Sequence, residues 1–450
     1  MSKSKEQALE RSEGDINLSP RRKAWAERHL DENAVAMLAE DARYFLHQSL
    51  STPCLNAIQA SEGIHLEDVQ GRKIMDFHGN SVHQVGHGHP RVIEAIKAQL
   101  DVLPFCPRRY TTQVTIDLAR RLIELAPGNL SKVLFSPGGT SAIGMALKLA
   151  RYATGRHKTI SMWDSFHGAS LDAISIGGEA LFRKDVGPLL PGTEHIPPPT
   201  RGKCLFNCND EQHSGCLDYL DYVFEMQGDV AALIAEPMRW TTVEPPPPGY
   251  WKKAREICDR HGVLLIFDEI PSALGRTGKM FVCEHFDVVP DMLVIGKGLG
   301  GGVFPMAALI TTAELDIVGD RALGHYTHEK SSVGCAAALA TIDCVLEERL
   351  IENSIELGRH ALARLETLRD ELPIVHEVRG LGLHIGIELR RDGEPAGDEA
   401  DAVLYHSLGH GLSYKVGGGC VLTLCPPMTI TREELDRALD IVEAGIRSVV

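Results

Sequence analysis

Between residues 130 and 312 the chain breaks repeatedly into short apolar runs separated by stretches of helical period, and that alternation is its strongest constraint. The runs are Lys132-Val-Leu-Phe-Ser136, Thr159-Ile-Ser-Met162, Val230-Ala-Ala-Leu-Ile-Ala235, Val263-Leu-Leu-Ile-Phe267, Met292-Leu-Val-Ile295 and Ala307-Ala-Leu-Ile310. A strand that is apolar at nearly every position is buried on both faces, and helices between such strands supply the crossovers that parallel pairing needs. The expected architecture is therefore α/β with a mostly parallel central sheet. From Gly63 onward, short apolar runs broken by Gly and Asp predict antiparallel strands of a smaller domain. From residue 334 a long helix to Glu348, followed by strands such as Leu383 to Leu389, predicts α+β structure. The resulting division is an N-terminal arm with part of the small domain (1–90), a large domain (91–333) and the C-terminal part of the small domain (334–450).

Charge narrows the partners. With 46 Lys plus Arg against 61 Asp plus Glu, the net charge is −15, which argues against nucleic acid and against anionic membrane surfaces. No apolar run reaches the roughly 18 residues of a membrane span. The start of the chain lacks an apolar signal segment and its 11 Cys show no paired spacing, so a reducing, cytoplasmic setting is expected.

Four features fall at the ends of expected strands, where open α/β sheets bind ligands. Ser136-Pro-Gly-Gly-Thr-Ser-Ala142 leads into a helical run, and its glycines with Thr140 make an anion site at a helix start, although such turns also occur for purely structural reasons. Phe166-His167-Gly168 can present a flat ring to a flat cofactor, or simply pack. Phe267-Asp268-Glu269 places a carboxylate at the end of a buried strand, where it needs a cationic partner unless it only caps a helix. Gly296-Lys297-Gly298 sets a lysine in a glycine run after a strand, where lowered basicity lets it form a Schiff base. A dinucleotide loop is the competitor, but the glycines do not follow its order. Taken jointly, a phosphate cup, a stacking ring, a carboxylate for a pyridine nitrogen and an imine-forming lysine specify pyridoxal phosphate, PLP.

The order of these features resembles the class III PLP-dependent aminotransferase family, of fold type I. The resemblance extends from about residue 55 onward through Gly86-His87-Gly-His-Pro90, Ala235-Glu236-Pro237, Gly275-Arg276-Thr-Gly278 and Arg379-Gly-Leu-Gly-Leu383. It implies that Lys297 holds PLP and moves the proton α to nitrogen, that Asp268 pairs with the ring nitrogen, and that Phe166 stacks on the ring. It further implies that Gly139 and Thr140 hold the phosphate, with His167 close by, and that Glu236 lies in the active-site wall. Thr327 matches the family threonine that reaches the phosphate across a subunit interface, which implies a homodimer or a dimer of dimers.

The departures from the family pattern bear on the reaction. Pro271 replaces a common glutamine, Ser141 and Gly144 replace glutamates, and Thr423 in Val421-Leu-Thr-Leu-Cys-Pro-Pro427 stands where many members carry an arginine for the carboxylate of an amino or keto acid. The segments Asp268 to Arg276 and Gly324-His-Tyr-Thr-His-Glu-Lys330 resemble a sub-branch that releases ammonia from a small β-hydroxy amine, best (R)-1-hydroxy-2-aminoethylphosphonate. The alternatives are an ω-aminotransferase or a phosphoethanolamine-type phospholyase. Arg239, Arg276, Lys330 and Arg109 are the candidate partners of the phosphonate. Cys204, Cys208, His213 and Cys216 share one stretch, but their gaps miss the usual C-x₂-C pairs, so no metal is expected and the stretch reads as a surface excursion.

Overall fold

The computed structural model describes residues 19–49, 51–200, 204–206, 208 and 214–450. It separates into two compact units, one of residues 1–89, 241–243 and 352–450, the other of residues 90–240 and 244–351. The division near the C-terminal end falls at Ile351 and not at 333. The helix Ser332–Glu347 packs on the helices Pro90–Val102 and Gln113–Leu125, so it belongs to the larger unit.

In the smaller unit the chain begins with the helices Pro20–His29 and Glu32–Tyr44, each capped by a side chain that accepts a backbone N–H, Ser19 and Asp31 respectively. Trp25 from the first of them is buried with Ile74, Tyr405 and Leu408. Three antiparallel strands follow, β1 (Ile58–Glu62), β2 (His65–Asp68) and β3 (Lys73–Asp76).

The larger unit carries β4 (Leu130–Ser136), β5 (Lys158–Met162), β6 (Thr193–Ile196), β7 (Val230–Ala235), β8 (Leu264–Asp268), β9 (Met292–Ile295) and β10 (Ala307–Thr312). They form one sheet in the order β4-β10-β9-β8-β7-β5-β6. β10 runs antiparallel to both neighbours, while β9, β8, β7, β5 and β6 pair in parallel. β4 and those five strands therefore point the same way, and their C-terminal ends share one edge. The expected apolar runs all lie in this sheet. The strand that sequence missed is β6, because Thr-Glu-His-Ile at a sheet border has no reason to be continuously apolar.

The helix Gly139–Thr154 shows how that edge is held. Its face of Ala142, Ile143, Met145, Ala146 and Leu149 is buried against Ala232, Ile266, Val294 and Leu309 of four strands. Full burial of each larger aliphatic side chain contributes about 1.5–3 kcal/mol, so the helix start is fixed rigidly over the strand ends. Gly155, at φ +66°, terminates it in the left-handed conformation that costs glycine nothing.

Beyond residue 352 the chain returns to the smaller unit with β11 (Val375–Leu381), β12 (His384–Arg391), β13 (Glu394–Pro395), β14 (Leu412–Ser413), β15 (Lys415–Gly417) and β16 (Val421–Leu424). β14 joins β3 in parallel, and the others form a second sheet, β11-β12-β16-β15, with β13 on β12. Within this unit Arg379 bonds Glu388 at 2.7 Å and the carbonyls of Thr242 and Val243 at 2.9 Å, which gives the Arg379-Gly-Leu-Gly motif a structural task. Thr423 donates its hydroxyl to the Thr241 carbonyl at 3.0 Å.

Candidate active site

The four chemical features all sit on the shared edge of the larger unit's sheet. Ser136 ends β4, Met162 ends β5 just before Phe166 and His167, Ala235 ends β7 before Glu236, Asp268 ends β8, and Ile295 ends β9 two residues before Lys297. Register brings the last two together, since Asp268 pairs with Val294 on the adjacent parallel strand.

Asp268 is 2% exposed, a carboxylate that stability alone would not place there. Its Oδ2 lies 2.8 Å from His167 Nδ1, and its Oδ1 accepts the Ile270 N–H at 3.0 Å. His167 is as deeply buried, and its Nε2 faces the Ser161 hydroxyl at 3.5 Å. The imidazole therefore orients the carboxylate, a positioning task that the motif Phe-His-Gly did not by itself disclose.

Lys297 opens a single 3₁₀ turn, Lys297–Gly300, with φ +43°. A non-glycine residue in this left-handed region costs on the order of 1–3 kcal/mol, and such strain gathers at functional positions. Gly296 before it lies close under β10 and the Ile270 side chain, where a Cβ would stand 3.2 Å from the Ala307 Cβ.

The start of the helix Gly139–Thr154 has Gly138 as N-cap with no side-chain cap. Its first N–H groups are thus left for a ligand, and a Cβ on Gly138 would meet no atom within 4 Å, so the approach is open. Ser136 and Ser141 both hydrogen-bond the Gly138 carbonyl, at 3.0 and 2.9 Å, and so set the turn. Gly139 packs on Ile270, where a Cβ would come within 2.7 Å of Cδ1, and Gly168 packs on Thr140. The residues flanking the helix start are thereby tied to Asp268 and His167.

Glu236 is fully engaged. It accepts the Phe166 N–H at 3.0 Å, the Trp240 N–H at 2.8 Å and Arg239 Nη1 at 2.7 Å. Arg239 also pairs with Glu179 at 3.4 Å. Burial works to lower the arginine's basicity, but the carboxylates of Glu236, Glu179 and Asp164 outweigh it and raise Arg239 above its ordinary range. One guanidinium shared by two carboxylates leaves no net positive charge, so Arg239 is not a free phosphonate clamp.

Phe166 packs its ring on Phe182, with centroids 4.5 Å apart. Arg276 is fully buried in the turn after β8, Lys330 is half-buried before the helix Ser332–Glu347, and Arg109 and Thr327 are exposed. Arg108, which sequence passed over for its neighbour, reaches Glu329 at 3.4 Å and His325 at 2.9 Å, so it anchors the segment that carries Thr327.

These residues fit PLP. Uncapped helix amides suit a phosphate, an oriented buried carboxylate suits a protonated pyridine nitrogen, and Lys297 emerges on the same edge. An aminotransferase class-III family model matches residues 47–446, and the chain belongs to that family. Among similar proteins, the (R)-1-hydroxy-2-aminoethylphosphonate ammonia-lyase of Vibrio splendidus (strain 12B01) is 48% identical, covering 98% of this chain and 95% of that one. The alanine/serine racemase of Pyrococcus horikoshii is 32% identical over 86% of this chain and 85% of its own. Among solved structures, an amine transaminase from an uncultivated Pseudomonas species in its PLP-bound form matches with TM-score 0.84 at 31% identity, covering 90% of this chain and 98% of that one.

Proposed function

We propose that this chain is a PLP-dependent ammonia-lyase that converts (R)-1-hydroxy-2-aminoethylphosphonate to phosphonoacetaldehyde and ammonia. What carries the reading is 48% identity to a protein of that activity across 98% of the chain, in a chain that retains Lys297 and Asp268. The cofactor is pyridoxal 5'-phosphate. When bound, it supplies an electron sink for the pair left by proton removal next to nitrogen.

The residues divide the work. The first N–H groups of the helix Gly139–Thr154, with Thr140, hold the phosphate. Asp268, aligned by His167, keeps a proton on the pyridine nitrogen, and Phe166 covers the ring face. Lys297 would hold the cofactor, and its amine would remove a proton from the amine-bearing carbon of the substrate. The neighbouring carbon loses its hydroxyl, and hydrolysis of the carbon–nitrogen bond releases ammonia. Substrate equals aldehyde plus ammonia in the sum, so no amino acceptor is consumed, which agrees with Thr423 standing where a keto-acid arginine would be. The enzyme is further proposed to act in the cytoplasm as a homodimer, with the exposed Thr327 reaching the partner subunit's phosphate.

The test is incubation of holoenzyme with (R)-1-hydroxy-2-aminoethylphosphonate and no acceptor, following ammonia and phosphonoacetaldehyde. Many turnovers per chain are expected. Stoichiometric conversion to the pyridoxamine form, with turnover only when a keto acid is added, would overturn the lyase reading in favour of an aminotransferase. Release of inorganic phosphate from phosphoethanolamine would point instead to a phospholyase.

A further inference from the structure

The stretch between β6 and the helix Ser214–Gln227 is seventeen residues long, and its described part has no helix or strand. Irregular connections of that length are uncommon in a compact unit unless something holds them. Three of the chain's cysteines gather there. Cys216 is the third residue of the helix and is buried, while Cys204 and Cys208 come from the preceding segment and are half-buried.

Their sulfurs converge, although the spacing in sequence suggested a surface excursion. All three lie within 4.8 Å of one another, with Cys216 Sγ 2.7 Å from that of Cys204 and 3.4 Å from that of Cys208. All three are free thiols. Thiolates about 2.3 Å from a tetrahedral zinc stand roughly 3.8 Å apart; the Cys208–Cys216 pair at 3.4 Å is close to this, and the Cys204–Cys216 pair at 2.7 Å reaches it when the two sulfurs part by about 1 Å around the ion.

Three thiolates cannot coexist here without a positive charge among them, and a bound dication deprotonates coordinating thiols outright.

We propose that Cys204, Cys208 and Cys216 form a structural site for a thiophilic divalent cation, zinc in its simplest form, which fastens the connection after β6 to the start of the helix Ser214–Gln227. Each thiol that binds loses its proton to solvent and gives its sulfur lone pair to the ion, with no redox change. The fourth position belongs to water. His213 lies outside the described residues and is not part of the assignment.

The test uses full-length, PLP-loaded protein, fully reduced, exposed to zinc chloride and then passed through a desalting column. About one zinc per chain should remain by elemental analysis. Cobalt(II) in place of zinc should give a thiolate-to-metal charge-transfer absorption. Cys208→Ser, chosen because Cys208 is not deeply buried, should abolish that absorption and lower zinc retention at least tenfold, with cofactor absorbance and circular dichroism unchanged. A reduced wild-type chain that retains no zinc and gives no charge-transfer band overturns the proposal without reference to any variant. So does isolation of iron and sulfide in place of zinc, or an unchanged cobalt spectrum in Cys208→Ser.

Discussion

His167 Nδ1 stands 2.8 Å from Asp268 Oδ2 in a place that water does not reach, with both residues 2% exposed. The carboxylate at the end of β8 is thus aimed by an imidazole on the segment after β5. A hydrogen bond to a charged group contributes about 1.5–3 kcal/mol, roughly 10- to 100-fold in a rate or affinity. His167→Ala should therefore lower ammonia release by that factor and weaken PLP retention on dialysis, and should also lower the thermal unfolding temperature of the apo form, because it leaves a buried carboxylate short of a partner. His167→Asn, which retains a donor, should recover part of the loss. Equal activity of the alanine variant and wild type would show that Asp268 is aligned by other means.

Lys297 has φ +43°, so the turn after β9 holds it in a conformation that L side chains do not favour, and the proposed reaction assigns it the covalent chemistry. Lys297→Ala should reduce turnover at least about 1000-fold, because both general acid–base and covalent contributions are lost together. Borohydride treatment of the wild type should leave the reduced cofactor on the peptide containing Lys297, and no labelled peptide should come from the variant. Label on another lysine would overturn the assignment.

Gly168 has φ +129°, and a Cβ there would stand 2.3 Å from Thr140 Oγ1. Both the backbone conformation and the contact penalise any side chain. Gly168→Ala should displace Thr140 from the phosphate cup and raise the PLP dissociation constant at least tenfold, with a stability loss of about 1–3 kcal/mol. Cofactor titration by fluorescence reads the first effect and chemical denaturation of the apo form the second.

The sheet was legible because strands buried on both faces cannot avoid being apolar, and β5, β7, β8, β9 and β10 obey this, while β4, at the other border, still carries the run Val133-Leu-Phe135. β6 escaped notice because an edge strand is free to carry Thr193 and Glu194. The strand-end positions of Lys297, Asp268 and the Gly138-Gly139 turn were legible because each follows an apolar run. The roles of His167 and Glu236 were not, since a histidine that aims a carboxylate and a glutamate that holds backbone N–H groups carry no local signature. Those relationships join residues 70 and 101 positions apart in the chain.

Glu269 follows Asp268 but turns inward, accepting the N–H groups of Val282 at 2.6 Å and Cys283 at 2.8 Å. Burial raises its carboxyl to about 7, and the two backbone donors only partly offset this. Since the folded chain holds this proton more tightly than the unfolded one, the group's contribution to stability is complete below about pH 4.5 and is lost as pH rises towards 7. A displacement from 4.5 to about 7 corresponds to roughly 3 kcal/mol over that window. Glu269→Gln removes the titration, so the stability of wild type relative to the variant should fall between pH 4.5 and 7 and then level off. Denaturation of the apo protein at several pH values checks this, and a difference that does not vary with pH would refute it.

Glu236 raises a sharper question, because its place in the site wall suggests acid–base work whereas its contacts suggest a brace. Both oxygens are already occupied by Phe166, Trp240 and Arg239. A carboxylate so held cannot give or take a proton without breaking charge-assisted bonds, each about twice as strong as a neutral one. What it does hold is the backbone of Phe166, and through it the ring that covers the cofactor. Glu236→Gln keeps one acceptor oxygen but leaves Arg239 with Glu179 alone. The variant should lose roughly 3- to 30-fold in kcat/KM, consistent with about 1–2 kcal/mol for a weakened ionic contact, while the pH profile of kcat retains both limbs. Loss of one limb in that profile would instead make Glu236 a proton-transfer group and require its hydrogen bonds to rearrange when substrate binds.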